Sequence, residues 1–194
     1  EHTISFAGGL PSENLFPNED LKEATLKAIE NPKVYQYTIS NGINELREQI
    51  ALRYTNEGFA TTKENILITT GSQQAMYILA KFFENKDITI EEPSYLGAMN
   101  IFRLNNLKMQ GVKLEDDGVN IEEFEKSFKN TKLTYLIPDF QNVSSYSDIL
   151  FPFEAVCNIV KKYDGILIED SPYSELYFDK KSKYISANLP NNSF

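Results

Sequence analysis

The feature that most constrains this chain is a rhythm running from Ile66 to Glu169. Short apolar runs at Ile66–Thr69, Asp87–Glu91, Lys108–Leu114, Leu133–Ile137 and Gly165–Glu169 read as strands. Between them, Ser72–Phe83, Tyr95–Leu104, Ile121–Phe128 and Pro152–Tyr163 read as helices. Strands alternating with helices need crossover connections, and these build a mostly parallel sheet with helices on its faces. The expected fold class is therefore α/β. Two further helices are expected upstream. One has Asn18 as N-cap, Leu21, Ala24, Ala28 and Ile29 on one face, and Asn31-Pro32 as its stop. The other carries Ile43, Leu46, Ile50 and Tyr54 on one face and stops at Gly58. Residues 1–40 read as a lead-in with a helix, and 41–194 as the body of the sheet domain.

A 194-residue chain can bury about 70% of its unfolded surface, so it needs neither disulfides nor a metal to fold. Its net charge of −9 comes with no basic stripe, which argues against nucleic acid and acidic membranes as partners. No apolar run is long enough to span a bilayer. The single cysteine, Cys157, excludes a disulfide framework and suits a reducing, cytoplasmic setting. It falls inside a helix, where it reads as buried filler. The one histidine is His2, which argues against a Ser-His-Asp triad or a histidine-based zinc site. Arg47 and Arg53 read as surface ion-pairing residues on the second helix. The chain starts at Glu1 rather than Met, so a longer natural N-terminus is expected.

Ligands in parallel sheets sit beyond the carboxyl ends of the strands, so the polar residues there carry the functional reading. In "GILIEDSPYSELYF", Gly165–Phe178, a buried-strand pattern ends in Glu169 and Asp170. Adjacent on a strand, these two point to opposite faces and are not a catalytic pair. Asp170 reads either as an ordinary polar strand end or as a carboxylate facing a cation in a crevice. In "TTGSQQA" a tight turn opens a helix. Gly71 permits close backbone approach, and Ser72 reads either as a phosphate donor or as a helix cap. Tyr95 can stack on a flat ligand or simply pack, and Asn142 is either a ligand-binding amide or a loop former. With Tyr173, the set suits a flat, phosphorylated heterocycle with a basic ring nitrogen.

Six stretches, in order, carry a resemblance: "SFAGGLPSENLFP", "YQYTISNGINELREQIA", "TTGSQQA", "EEPSYLGA", "YLIPDFQN" and "ILIEDSPYSELYF". Together the chain resembles the front portion of fold-type-I pyridoxal-phosphate aminotransferases, class I/II, in the aminoadipate/aromatic branch. The resemblance implies a three-layer large domain, truncated before its last strands and small domain. It implies pyridoxal 5′-phosphate as cofactor, an amino acid and a 2-oxo acid as substrates, and a homodimer when full length. By resemblance, Gly71, Ser72 and Gln73 would hold the cofactor phosphate and Tyr95 would stack on its ring. Asn142 and Tyr173 would bond the phenolic oxygen, and Asp170 would pair with the ring nitrogen. Tyr37 would reach the neighbouring subunit's phosphate, and Gly9 would line the substrate pocket.

Two departures qualify what the resemblance implies. The family usually follows the Asn with Pro-Thr-Gly, often through a cis peptide, where this chain has Val143-Ser144-Ser145. A cis bond before Val costs about 3 kcal/mol, so a reshaped loop is expected. The family's Schiff-base lysine would follow "LPNNSF" and is not in the sequence. Lys180, Lys181 and Lys183 read as a solvated polar run instead. The expectation is a segment of a larger enzyme, inactive alone, in which Ile66–Thr69 lacks its neighbouring strands. The alternatives are an aminotransferase-like effector-binding domain of a transcription regulator, or a degenerate non-catalytic paralogue.

Overall fold

The structure is a computed structural model and describes residues 10–116, 118–142, 152–177, 181 and 183–194. The chain divides into two compact units, Glu1–Ser40 and Asn41–Phe194. The first holds a helix, α1 (Asn18–Ile29), between two short 3-10 turns at Glu13–Leu15 and Pro32–Tyr35. Asn18 is the first helical residue, not the cap expected from the sequence. Pro17 takes the cap position, and Glu19 and Asp20 in the first turn favour the positive end of the helix dipole. The Asn31 side chain accepts from Lys33 N (3.1 Å) and starts the turn after α1. Every described residue of this unit is exposed.

The second unit is the α/β body. Its helices are α2 (Asn44–Asn56), α3 (Ser72–Phe82), α4 (Leu96–Leu104), α5 (Ile121–Thr131) and α6 (Phe153–Tyr163). Its strands are β1 (Asp87–Glu92), β2 (Lys108–Glu115), β3 (Gly118–Val119), β4 (Leu133–Leu136) and β5 (Ile166–Glu169), in the sheet order β3-β2-β1-β4-β5. All pairings are parallel except the β2–β3 hairpin, which the sequence reading did not foresee.

Period-two alternation sorts the strands onto two cores. Ile88, Ile90, Leu133, Tyr135, Ile137 and Ile168 pack with Met76 and Ala80 of α3 and Ala98 and Phe102 of α4. Leu136 and Leu167 pack on the opposite face with Phe124 and Phe128 of α5 and Val156, Cys157, Ile159 and Val160 of α6. The result is helices, sheet, helices: three layers. Cys157 is buried as expected, and burial pushes its thiol above the usual range.

Two expectations fail in an informative way. Ile66–Thr69 forms no strand. Its backbone joins no ladder among the described residues; Ile68 N donates to Asn41 O (3.0 Å) and the segment lies against Gly42, where a Cβ would meet Ile68 Cβ at 2.7 Å. On the far side of β5, by contrast, residues 192–194 are paired. Leu167 N donates to Asn192 O (2.8 Å) and Phe194 N to Leu167 O (2.9 Å), in parallel sense. The second failure concerns α2. Ile43 and Leu46 are exposed, whereas Arg47 and Ala51 are buried. Arg47 is no surface ion-pairing residue: its guanidinium donates to Ile66 O (2.8 Å), Lys63 O (2.5 Å) and Asn44 Oδ1 (3.2 Å). It thereby holds the first carbonyl of the run and one carbonyl of the 3-10 turn, Lys63–Asn65, that precedes it. Arg53 does pair at the surface, with Glu57 and Glu175.

Candidate active site

Asp170 follows β5 directly, and its N–H donates to Leu136 O (3.0 Å), carrying the β4–β5 ladder one step further. It has the parity of Ile166 and Ile168, which lie on the α3/α4 face. There its Oδ2 accepts a hydrogen bond from the Tyr135 hydroxyl at 2.6 Å. Burial pushes the Asp170 carboxyl above its ordinary range, and the donated hydroxyl pulls it back down. Glu169, one residue earlier, accepts from Ile185 N (3.0 Å) and Ser186 N (2.8 Å). The two acids therefore have separate partners, as their adjacency on a strand requires.

The other strand-tip residues are placed as follows. Gly71 sits at the N-cap position of α3 with φ 77° and ψ 169°, and no side chain caps that helix. Ser72 is the first helical residue rather than the cap; it and Gln73 are exposed. The turn is braced from outside the amides, since Thr69 Oγ1 donates to Gly71 O (3.0 Å) and Gln74 Oε1 accepts from Thr70 N (2.5 Å). Tyr95 caps α4 and is half-buried against the same core cluster as Tyr135. Tyr173 is half-buried in the turn after β5, where its carbonyl accepts from Leu176 N (2.8 Å). Asn142 is exposed. Tyr37 belongs to the first unit and is 99% exposed. Gly9 and Val143–Ser145 lie outside the described residues.

The α3/α4 face of the sheet thus brings together Tyr95, Tyr135 and Asp170 beside the helix that opens at Ser72. Tyr135 escaped the sequence reading, although a signal was present. A tyrosine among aliphatic residues on a buried strand needs a partner for its hydroxyl. Glu91 also escaped it. This carboxyl is buried on β1 and accepts from Ile137 N (3.2 Å) and Gln141 Nε2 (3.4 Å). Gln141 Nε2 donates as well to Pro93 O (2.8 Å). Burial pushes Glu91 up to about 8 against those hydrogen bonds. Glu91 and Gln141 tie the tip of β1 to the segment that runs into Asn142. Among the described residues, no group of acids, histidine and cysteine is arranged to hold a metal ion, and no helix is long and apolar enough to cross a membrane.

In mostly parallel α/β sheets ligands sit beyond the carboxyl ends of the strands, and here an acid, a ring and a helix start without a side-chain cap lie on one face of such a sheet. The chain belongs to the aminotransferase class I and II family, whose model matches residues 4–191. It is 34% identical to a 2-aminoadipate transaminase of Thermus thermophilus, over 90% of this chain and 44% of that one. It is 32% identical to an aromatic-amino-acid aminotransferase of Thermococcus litoralis, over 90% of this chain and 45% of the relative. The fold matches the crystal structure of an α-aminoadipate aminotransferase from T. thermophilus, in complex with N-(5′-phosphopyridoxyl)-L-leucine. The TM-score is 0.81 at 33% identity, covering 92% of this chain and 46% of that one. The chain thus spans just under half the length of these relatives.

Proposed function

We propose that these residues form part of a pyridoxal-phosphate-dependent aminotransferase that moves an amino group between an amino acid and a 2-oxo acid. The observation that carries this reading is Asp170, a half-buried carboxylate at a strand tip with one oxygen already held by Tyr135. A half-buried acid whose other oxygen has no side-chain donor among the described residues suits a protonated ring nitrogen. The residues fit the cofactor in two further respects. The start of α3 has no side-chain cap over its first amides, which suits a phosphate. Tyr95 lies on the same face of the sheet as Asp170.

In this reading Gly71, Ser72 and Gln73 bind the phosphate and Tyr95 covers the ring. Asn142 and Tyr173 bond the phenolic oxygen, and Asp170 keeps a proton on the ring nitrogen. Bound there, pyridoxal phosphate supplies an electron sink for the pair left when a substrate loses its α-proton. The lysine that moves that proton is not Lys181, whose ammonium is engaged with Glu57 at 2.6 Å. In the same reading Gly9 lines the substrate pocket, and Tyr37, 99% exposed, reaches the cofactor phosphate of a second subunit in a cytoplasmic homodimer.

The test is a titration of the full-length protein with pyridoxamine 5′-phosphate, followed by ligand fluorescence. The parent should bind, and Asp170→Asn should weaken binding by about tenfold or more, the scale of a lost charge-assisted contact. Equal affinity in the two proteins would overturn the reading. Tight binding with no amine transfer in the full-length protein would move it to the effector-binding or non-catalytic alternatives.

A further inference from the structure

Tyr135 lies where its hydroxyl has one thing to do. Its side chain is fully buried. Its ring is held edge-on against Phe102, centroids 5.3 Å apart at 76°. In the ladder Tyr135 faces Ile168, so the ring runs along β5 and its hydroxyl meets the residue two places on, Asp170. Burial and the neighbouring carboxylate push the phenol far above its usual range. It therefore stays protonated and acts as a donor throughout the range in which proteins fold. Among the described residues it is the one side-chain donor to Asp170.

We propose that Tyr135 is the positioning residue for the cofactor's ring nitrogen. Its hydroxyl occupies Asp170 Oδ2, turns Oδ1 toward the ligand, and keeps the carboxylate ionised against the pull of burial. This rests on the reading of Asp170 given above. A buried carboxylate with no donor takes up a proton instead of carrying charge. A protonated Asp170 could not hold a proton on a pyridine nitrogen. The hydroxyl is thus a condition of the charge, and the locked ring is a condition of its direction. A short hydrogen bond between a neutral donor and an ionised acceptor is the strong kind, and losing one is felt at the group that keeps the charge.

The experiment uses pyridoxamine 5′-phosphate labelled with nitrogen-15 in the ring, bound to the full-length protein and titrated by NMR. The ring-nitrogen shift reports protonation directly and needs no turnover. Parent, Tyr135→Phe and Asp170→Asn are compared, with inorganic phosphate binding as a check on the phosphate loop. The expected result is a nitrogen protonated to high pH in the parent and unprotonated at neutrality in Asp170→Asn. In Tyr135→Phe its titration should shift to lower pH by about one unit or more, with phosphate binding unchanged. If Asp170→Asn loses the proton while Tyr135→Phe matches the parent, Tyr135 only packs: this inference falls and the site reading stands. If Asp170→Asn matches the parent, the site reading falls and takes the inference with it. Should Tyr135→Phe not fold, 3-fluorotyrosine at position 135 replaces it. The more acidic donor should then move the titration to higher pH, and no movement would overturn the proposal.

Discussion

Glu169 and Asp170 are neighbours in the chain, yet one holds the backbone N–H groups of Ile185 and Ser186 while the other holds the hydroxyl of Tyr135. The strand alternation behind this gives two adjacent acids separate partners. Glu169 serves the fold. Glu169→Leu leaves two backbone donors without their acceptor and should destabilise the chain by roughly 2–4 kcal/mol. Glu169→Gln keeps one acceptor oxygen and should lose less than half of that. Urea unfolding of the two variants measures the difference. Equal losses would mean that the carboxylate's hydrogen bonds do not matter.

Glu91 predicts an unusual pH dependence. Its native carboxyl titrates near 8 against an ordinary 4.5. Between those values the native state keeps a proton that the unfolded chain has released, so stability falls as pH rises. The slope approaches about 1.4 kcal/mol per pH unit and flattens above about pH 8. Glu169 and Asp170 are shifted in the same direction, so the test compares proteins rather than conditions alone. Urea midpoints at pH 5.5 and 7.5 should differ more in the parent than in Glu91→Gln. Equal differences in both would show that Glu91 ionises freely in the native state.

Arg47 makes a prediction that its sequence position conceals. Its guanidinium donates to two main-chain carbonyls of the segment leading to the Gly71 turn. Arg47→Met keeps the apolar stem but leaves Ile66 O without the guanidinium donor and Lys63 O with the Ile66 N–H alone. The expected loss is about 2–4 kcal/mol in chemical denaturation, with proteolysis between Lys63 and Thr70 appearing first. Arg47→Lys should recover only part of this, because an ammonium lacks the planar fork that reaches both carbonyls. Full recovery by lysine would mean that charge, rather than geometry, matters here.

What could be read in advance follows from which forces are local. β1, β2, β4 and β5 were legible because each is a short apolar run between turn residues, and their helices because apolar spacing marks one face. The place of Asp170 at the tip of β5 was legible because a carboxylate directly after a buried strand is conspicuous. The Ile66–Thr69 run has the same local pattern but no neighbour to complete its ladder, and no single segment carries that information. Arg47 was misread for a related reason: a buried guanidinium among carbonyls looks, in sequence, like any charge on a helix. Tyr135 and Glu91 were missed because their partners lie 35 and 46 residues away, in strands that are adjacent only after folding.

The Gly71 turn gives the sharpest separation of stability from binding. With φ 77° and ψ 169°, Gly71 occupies a region of backbone space that is essentially confined to glycine. A Cβ added there would meet nothing within 4 Å. Gly71→Ala therefore introduces backbone strain without a steric clash, and should destabilise by about 1–3 kcal/mol. The chain can relieve the strain by moving φ to a negative value, which swings the first amides of α3 away from their present direction. If those amides bind phosphate, Gly71→Ala should weaken inorganic phosphate binding by more than its stability loss accounts for. Thermal unfolding with and without phosphate separates the two effects: the parent should gain Tm on adding phosphate, and Gly71→Ala should gain little. An equal gain in both would remove the α3 start from the phosphate site and leave Gly71 with a purely conformational role.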